Sequence, residues 1–162
     1  MATPVYEQIF DKVAEILKGI RKASGYATDL EAEAVTRRMV FLDEAIARGL
    51  FPSVSVVRRP GAAGRREGQA GQYYCTLPIW CVCYFRCDQS AGEVPDTAMN
   101  LLQNDIQRCV YDSAAELRTV GAIDAGFPEE PEIAIEPGDG GLVYTAMFYT
   151  VEIGFLLPRK GF

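Results

Sequence analysis

The residues with the most suggestive chemistry are five cysteines, four of which lie close together: Cys75, Cys81, Cys83 and Cys87, with Cys109 further on. Clustered cysteines are typical of zinc sites. All four clustered residues have odd numbers, so an extended strand would place them on one face and about 40 Å from first to last. Zinc requires four ligands about 2.3 Å from one point, and the chain has no CxxC pair and no histidine. We therefore expect buried small hydrophobes and no metal, with a thiol or metal-binding module as the alternative.

Catalytic chemistry has little support in the sequence. The chain contains no histidine, the commonest general acid and base at neutral pH. It also lacks a phosphate-binding glycine loop and a recognisable nucleophile motif. Adjacent carboxylates such as Glu129-Glu130 lie in a proline-rich stretch that favours a solvated turn. We expect a protein that is not an enzyme and has no cofactor, and an enzyme with motif-free carboxylates is the alternative.

Composition and charge set the broad class. The chain has 162 residues and ordinary hydrophobic content, which fits one domain, here 1–162. Its net charge of −6 argues against nucleic acid as the main partner. No apolar run reaches the roughly 20 residues of a membrane helix, and the first residues lack the layout of a secretory signal. We expect a protein that is made in the cytoplasm and has no membrane partner.

One arginine pair, Arg58-Arg59, precedes a glycine-rich segment, and a second pair lies within it. Residues 60–72 (PGAAGRREGQAGQ) contain almost nothing to bury, which predicts an exposed loop between two strands. Arg65 and Arg66 at its tip are candidates for a contact point. The alternative is a solvated loop whose charges only maintain solubility.

Three segments have helical patterns. After Thr3-Pro4, which predicts an N-cap and a first helical residue, apolar residues recur every three or four positions: Val5, Ile9, Val13, Ile16, Leu17 and Ile20. A second helix begins near Pro95, with Asp96 as its expected cap, and its apolar stripe is Met99, Leu102, Ile106, Cys109, Val110 and Leu117. Residues 41–50 predict a shorter helix, and residues 35–40 fit either a short edge strand or a helix.

Two apolar tracts, residues 73–87 and 142–157, predict long strands, and residues 53–59 and 132–136 predict shorter ones. The pattern predicts an α+β fold with an antiparallel or mixed sheet, two long strands and two main flanking helices. Both faces of 73–87 are apolar, so we expect both to be covered. Each tract would extend about 50 Å, whereas a domain of this size is about 40 Å across. Strands of that length either bend sharply or project past the core, and we expect them to project and to be covered by a second copy.

Five short motifs are distributed along most of the chain. They are IRKASGYATD at 20–29, FPSVSVV at 51–57, LPIW at 77–80, NDIQR at 104–108 and the closing strand at 140–157. This layout resembles that of phage tail terminator (tail completion) proteins. The centre rich in cysteine and the segment 41–50 depart from the family pattern.

The resemblance implies a small α/β domain that assembles as a hexameric ring on the last ring of the tail tube. Such a ring stops tube polymerisation, presents a surface to the head's connector and, in contractile tails, also contacts the sheath protein. The implied location is the tail–neck junction of the virion, after assembly in the host cytoplasm. DNA would be only cargo that passes through the lumen, which a negative surface suits.

Under this resemblance, Arg58, Arg59, Arg65 and Arg66 are the expected contacts with a neighbouring subunit or the tail tube, because arginine is favoured at interfaces. Simple surface charge is the alternative for these residues. For the whole chain, the alternative functions are another neck or connector adaptor and, from a different class, the cytosolic thiol or metal-binding module.

Overall fold

The computed structural model describes residues 3–60, 65–67 (by their backbone) and 71–158. The elements follow in the order α1 (Val5–Leu17), β1 (Val35–Thr36), α2 (Leu42–Arg48), β2 (Ser53–Arg58), β3 (Arg65–Glu67), β4 (Gln72–Asp88), α3 (Pro95–Asp112), α4 (Ala114–Arg118), β5 (Ala122–Gly126), β6 (Glu132–Pro137) and β7 (Leu142–Pro158). None of the described helices has both the length and the apolar character that crossing a bilayer requires.

The described strands form one mixed sheet centred on β4 and β7. These two strands of 17 residues are antiparallel and pair along their whole length, from Gln72 opposite Pro158 to Asp88 opposite Leu142. On the far side of β4 lie β2 and β3, and on the far side of β7 lie β5 and β6. Only the short edge pairing of β1 with β2 is parallel among these strands. The predicted α+β class, mixed sheet and two long strands are confirmed.

One face of the β4–β7 ribbon is covered by α1 and α3, and we call it the helix-covered face. It carries the odd-numbered residues of both strands, from Cys75 to Cys87 and from Thr145 to Phe155, and all are buried. The apolar stripes of α1 and α3 pack on them in a single core. The clustered cysteines therefore share one face, as their odd spacing predicted.

The other face of the ribbon, the open face, carries the even-numbered residues. Helix α2 and the residues just before it cover part of this face, with Ala45 of α2 and Val40 against Val82 and Tyr84. Trp80 and Phe148 lie beside this cluster, half-buried, with ring centroids 5.4 Å apart. The expectation that both faces would be covered is therefore met fully on one face and in part on the other.

Nearer the end at which β7 finishes, the open face becomes polar. The hydroxyl of Tyr74 donates to the Asp124 carboxylate, at 3.0 Å from each oxygen. This pair lies over Gly154, and a Cβ on that glycine would meet both side chains. The absence of a side chain at Gly154 thus makes room for a polar bridge from β4 to β5.

Several local predictions need correction. The N-cap residue of α1 is Pro4 rather than Thr3, and the N-cap residue of α3 is Val94 rather than Asp96. Neither residue makes a side-chain hydrogen bond to its helix. Strand β5 was not predicted, because its sequence, AIDAG, is short and lacks a clear alternation. Of the two alternatives for residues 35–40, the structure has the edge strand.

A buried carboxylate anchors the segment after α1 to α3. Asp105 is 0% exposed and accepts hydrogen bonds from the backbone N–H groups of Ala27, at 3.2 Å, and Thr28, at 2.8 Å. A buried carboxylate needs such partners, because desolvation of an unpaired charge is expensive. Two of the quoted motifs, 20–29 and 104–108, thus meet at this contact.

We expect Asp105→Ala to lower the free energy of unfolding by about 2–3 kcal/mol, because it removes two hydrogen bonds to a charged acceptor. The matched control is Asn104→Ala on the exposed side of the same helix, which should stay within about 0.5 kcal/mol of wild type. Chemical denaturation followed by circular dichroism measures both, and equal effects of the two substitutions would contradict this role.

Candidate assembly surface

The four predicted arginines lie along one side of β4. Arg58 ends β2 opposite Ile79, and Arg65 and Arg66 open β3 opposite Cys75 and Tyr74. The side chain of Arg58 is exposed, with its guanidinium carbon 5.8 Å from the ring centroid of Tyr6. The side chains of Arg65 and Arg66 lie outside the described part of the structure.

Arg59 differs from its neighbour because it is already engaged within the chain. Its guanidinium forms an ion pair with the carboxylate of Glu129, in the loop between β5 and β6. This bridge connects two segments 70 residues apart in sequence. Arg59 is therefore a poorer candidate for a contact with another molecule than Arg58.

The centre of the glycine-rich segment is a strand, whereas the sequence predicted a loop over all of residues 60–72. Residues 65–67 form β3, which pairs with Tyr73, Tyr74 and Cys75 of β4. The predictions for residues 61–64 and 68–70 lie outside the described residues. Pro78 occupies the gap between the pairings of β3 and β2 along β4, which is where a residue without a backbone N–H is tolerated.

The outer edge of β2 is protected by the chain itself. Strand β1 pairs with Val54 and Ser55, and the side chain of Arg37 donates to the Val56 carbonyl at 2.8 Å. Arg37 is in turn held by α1, through ion pairs of 3.0 Å with Glu7 and with Asp11 and through stacking on Phe10. Covering an edge in this way prevents its pairing with another chain.

Strand β6, by contrast, has no such cover. It pairs with β7 from Val143 to Phe148, and within the described ranges no strand pairs with its other edge. All six of its residues are exposed, including Ile133 at 44% and Ile135 at 62%. The alternation EIAIE predicted the strand, but nothing in that pattern indicated that neither face would be covered.

The surroundings of β6 are acidic. Glu132 and Glu136 belong to the strand, and the loops at its two ends contribute Glu129, Glu130 and Asp139. Glu129 is the member of this group that is paired with Arg59. The sequence favoured a solvated turn near Glu129-Glu130. An exposed strand with two isoleucines and a carboxylate near each end is more typical of a surface that pairs with another strand.

A second open surface lies at the start of α3. A cavity of about 300 Å³ is lined by Phe51, Pro52, Arg86 and Leu101 among others, and the Arg86 guanidinium carbon is 5.5 Å from the Phe51 ring centroid. Leu101 and Val94 are exposed beside it. Its lining also includes Lys22 and the Asp29 carboxylate, and the Asp29 carboxylate accepts a hydrogen bond of 2.7 Å from the backbone N–H of Lys22.

The five cysteines are free and buried, which agrees with their predicted role as small hydrophobes. Burial raises the pKa of Cys81 to about 12, and it raises the pKa of Cys83 well above its ordinary value. The Cys109 thiol lies 3.2 Å from the Ile16 carbonyl oxygen, between α3 and α1. Among the described residues, no group of three or more carboxylate or thiol side chains has the arrangement of a metal site.

Comparison with known proteins adds no relative: neither the scan against models of protein families nor the search of curated proteins found a match.

We expect the native thiols to be almost unreactive with Ellman's reagent at pH 8, because all five are buried away from the reagent. For Cys81, a pKa of about 12 also leaves only roughly one thiol in 10⁴ as thiolate. All five should react after unfolding in guanidinium chloride. Ala115→Cys, at an exposed position of α4, is the positive control and should add one fast equivalent. Rapid reaction of native wild type, or one zinc ion per chain by metal analysis, would instead support the thiol or metal-binding alternative.

Proposed function

We propose that this chain is a structural subunit of a phage tail, which assembles as a hexameric ring on the end of the tail tube. The ring ends tube polymerisation and forms the joint to the neck and head. The observation that carries the proposal is β6, an exposed acidic strand with an open edge on a sheet whose helix-covered face is already buried. The motif resemblance supplies the identity of the assembly.

The distribution of burial supports assembly rather than catalysis. Within the described ranges, all five thiols are buried, and burial raises the pKa of Cys81 and of Cys83, which disfavours a role as nucleophiles at neutral pH. The carboxylates whose pKa is lowered, Glu44 and Asp88, are half-buried, and their hydrogen bonds with Arg38 and Ser90 are the main cause of the lower pKa values. We therefore propose a role without enzymatic activity.

The proposed partners are other copies of the chain, the tail tube protein and a neck or connector protein, together with the sheath protein if the tail contracts. The proposed place of action is the tail–neck junction of the virion. A net charge of −6 favours a ring through which DNA passes without binding, because like charges repel the phosphate backbone.

The direct test adds the purified chain to polymerising tail tube protein and measures tube length by negative-stain electron microscopy. We expect shorter tubes that carry a ring at one end. A chain that binds a purified neck or portal ring but leaves tube growth unchanged would instead be the alternative connector adaptor. Tubes of unchanged length and no binding to either component would contradict the proposal.

Arg58 is the arginine best placed to take part in this contact. We expect Arg58→Glu to raise the concentration needed for capping about tenfold, which corresponds to about 1.4 kcal/mol. Arg118→Glu, an equal charge change at an exposed site on α4, should leave that concentration unchanged. If the two variants cap tubes equally well, Arg58 contributes only surface charge. A separate variant that lacks residues 61–71 tests the loop, and normal capping by that variant would exclude the loop as a contact.

A further inference from the structure

The outer edge of β6 is open to a further strand. Its inner edge pairs with β7 in unbroken register over all six residues, and within the described ranges no strand pairs with the outer edge. A strand paired on one edge presents alternating N–H and C=O groups on the other, and these groups can pair with an additional strand. Pro131 and Pro137 lie at its two ends. Because proline has no backbone N–H, they limit the edge to about five residues, or about 17 Å.

The two faces of β6 differ in chemistry. Ile133 and Ile135 are in register with buried residues of β7, which places them on the helix-covered face of the sheet. Glu132 and Glu136 alternate with them on the open face, with Ala134 between the two carboxylates. A strand added to this edge would therefore meet an apolar row on one face and two carboxylates, four positions apart, on the other.

The part of the chain around this edge is acidic and has few cations near it. Residues 119–158 contain seven aspartates and glutamates and no lysine or arginine. Arg59 is ion-paired with Glu129 and lies close enough to Glu132 for an electrostatic interaction. Among the described residues, no other carboxylate of this region forms an ion pair. A strand that carries lysine or arginine would supply the charge that complements this edge.

Pairing of β6 with a second copy of itself is disfavoured by its own charges. In the full-length antiparallel register, with a two-fold axis at Ala134, Glu132 of each copy would lie opposite Glu136 of the other. Like charges directly opposite each other destabilise a pair of strands. The strand that fits this edge must therefore differ from β6 in charge.

The other outer edges of the described sheet do not offer such a strand. Strands β1 and β3 have two and three residues, which are too few to reach both glutamates of β6. Strand β5 contains an aspartate and no lysine or arginine. The complementary strand is therefore expected from a different polypeptide.

We propose that β6 binds an extended segment of a different protein, which carries a lysine or arginine opposite Glu132 and Glu136 and apolar residues opposite Ile133 and Ile135. The segment adds one strand to the sheet, so that backbone hydrogen bonds give affinity and alternate side chains give specificity. Cross-strand pairs of opposite charge and burial of the isoleucines stabilise the pairing. This inference deepens the proposed function and rests on it for the source of the segment, which would be another tail or neck protein.

A synthetic peptide tests the proposal with the full chain. The amidated peptide TKVTVKT, labelled at its N-terminus, has two lysines four positions apart on one face and two valines on the other. We expect saturable binding by fluorescence anisotropy, and Glu132→Lys with Glu136→Lys should weaken it about tenfold or more. Glu33→Lys with Glu116→Lys, an equal change of net charge at exposed sites, should bind the peptide like wild type. The isomer TVKTKVT, whose lysines are two positions apart, should bind about tenfold more weakly.

Pairing through the backbone has a separate readout. Alternate residues of a strand direct their N–H groups to the same edge, so N-methylation of both lysines blocks one edge of the peptide and N-methylation of both valines blocks the other. We expect one of these two methylated peptides to lose binding and the other to bind like the parent, because only one edge faces β6.

Circular dichroism establishes that each variant is folded. The proposal is overturned if the parent peptide does not bind wild type, if the β6 variant and the control variant bind it equally, if the isomer binds as tightly, or if both methylated peptides bind like the parent. It is also overturned if sedimentation velocity shows self-association that the β6 variant alone abolishes, because the occupant would then be a second copy.

Tube capping is measured separately. Peptide binding at β6 by a chain that does not cap tubes would contradict the proposed function alone, and capping by a chain that does not bind the peptide would contradict this inference alone.

Discussion

The continuous pairing of β4 with β7 is the interaction on which the rest of the structure depends. Each strand has 17 residues, and every residue of one has a partner in the other. All other strands except β1 attach to this ribbon, and both main helices bury their apolar stripes on one of its faces. Because side chains alternate along a strand, the odd-numbered positions form a continuous apolar row that the helices can cover at one time.

That arrangement decides which parts of the surface are left for partners. From the length of the strands we expected projecting ends covered by a second copy of the chain. The helix-covered face is instead buried within one chain from Cys75 to Cys87, with α1, α3 and their neighbours as the cover. The exposed isoleucines and the open strand edge are instead found on strand β6. In the proposed function, this strand and not the ribbon is the surface available to a partner.

Local periodicity was enough to predict the helices and strands in which apolar residues recur at regular spacing. The apolar stripe from Ile9 to Leu17 and the odd spacing of the cysteines both gave the correct buried face. Residues 132–136 could be predicted as a strand from their alternation, whereas the exposure of the strand depends on which distant elements pack near it, and no local pattern contains that information. Strand β5 was not predicted because its own sequence has no strand pattern. Its pairing with Phe155 and the neighbouring residues of β7 stabilises it as a strand.

The candidate surface was less predictable because its properties arise from distant partners. Arg58 and Arg59 look equivalent in sequence, but only Arg59 reaches Glu129, 70 residues away. Arg65 and Arg66 lie among glycines that predict a loop, but their backbone forms a strand because it pairs with the backbone of β4. Likewise the role of Asp105 depends on the backbone of residues 27 and 28, which are 78 and 77 positions away from it.

Hydrogen exchange followed by mass spectrometry tests the central claim most directly, by comparing the dissociated chain at low concentration with the assembled form. The amides of β4 and β7 should exchange slowly in both forms, because their pairing and cover lie within one chain. Peptides that span β6 should exchange rapidly in the dissociated chain and gain protection on assembly. Rapid exchange throughout β4 and β7 until assembly would contradict a ribbon that is complete in one chain.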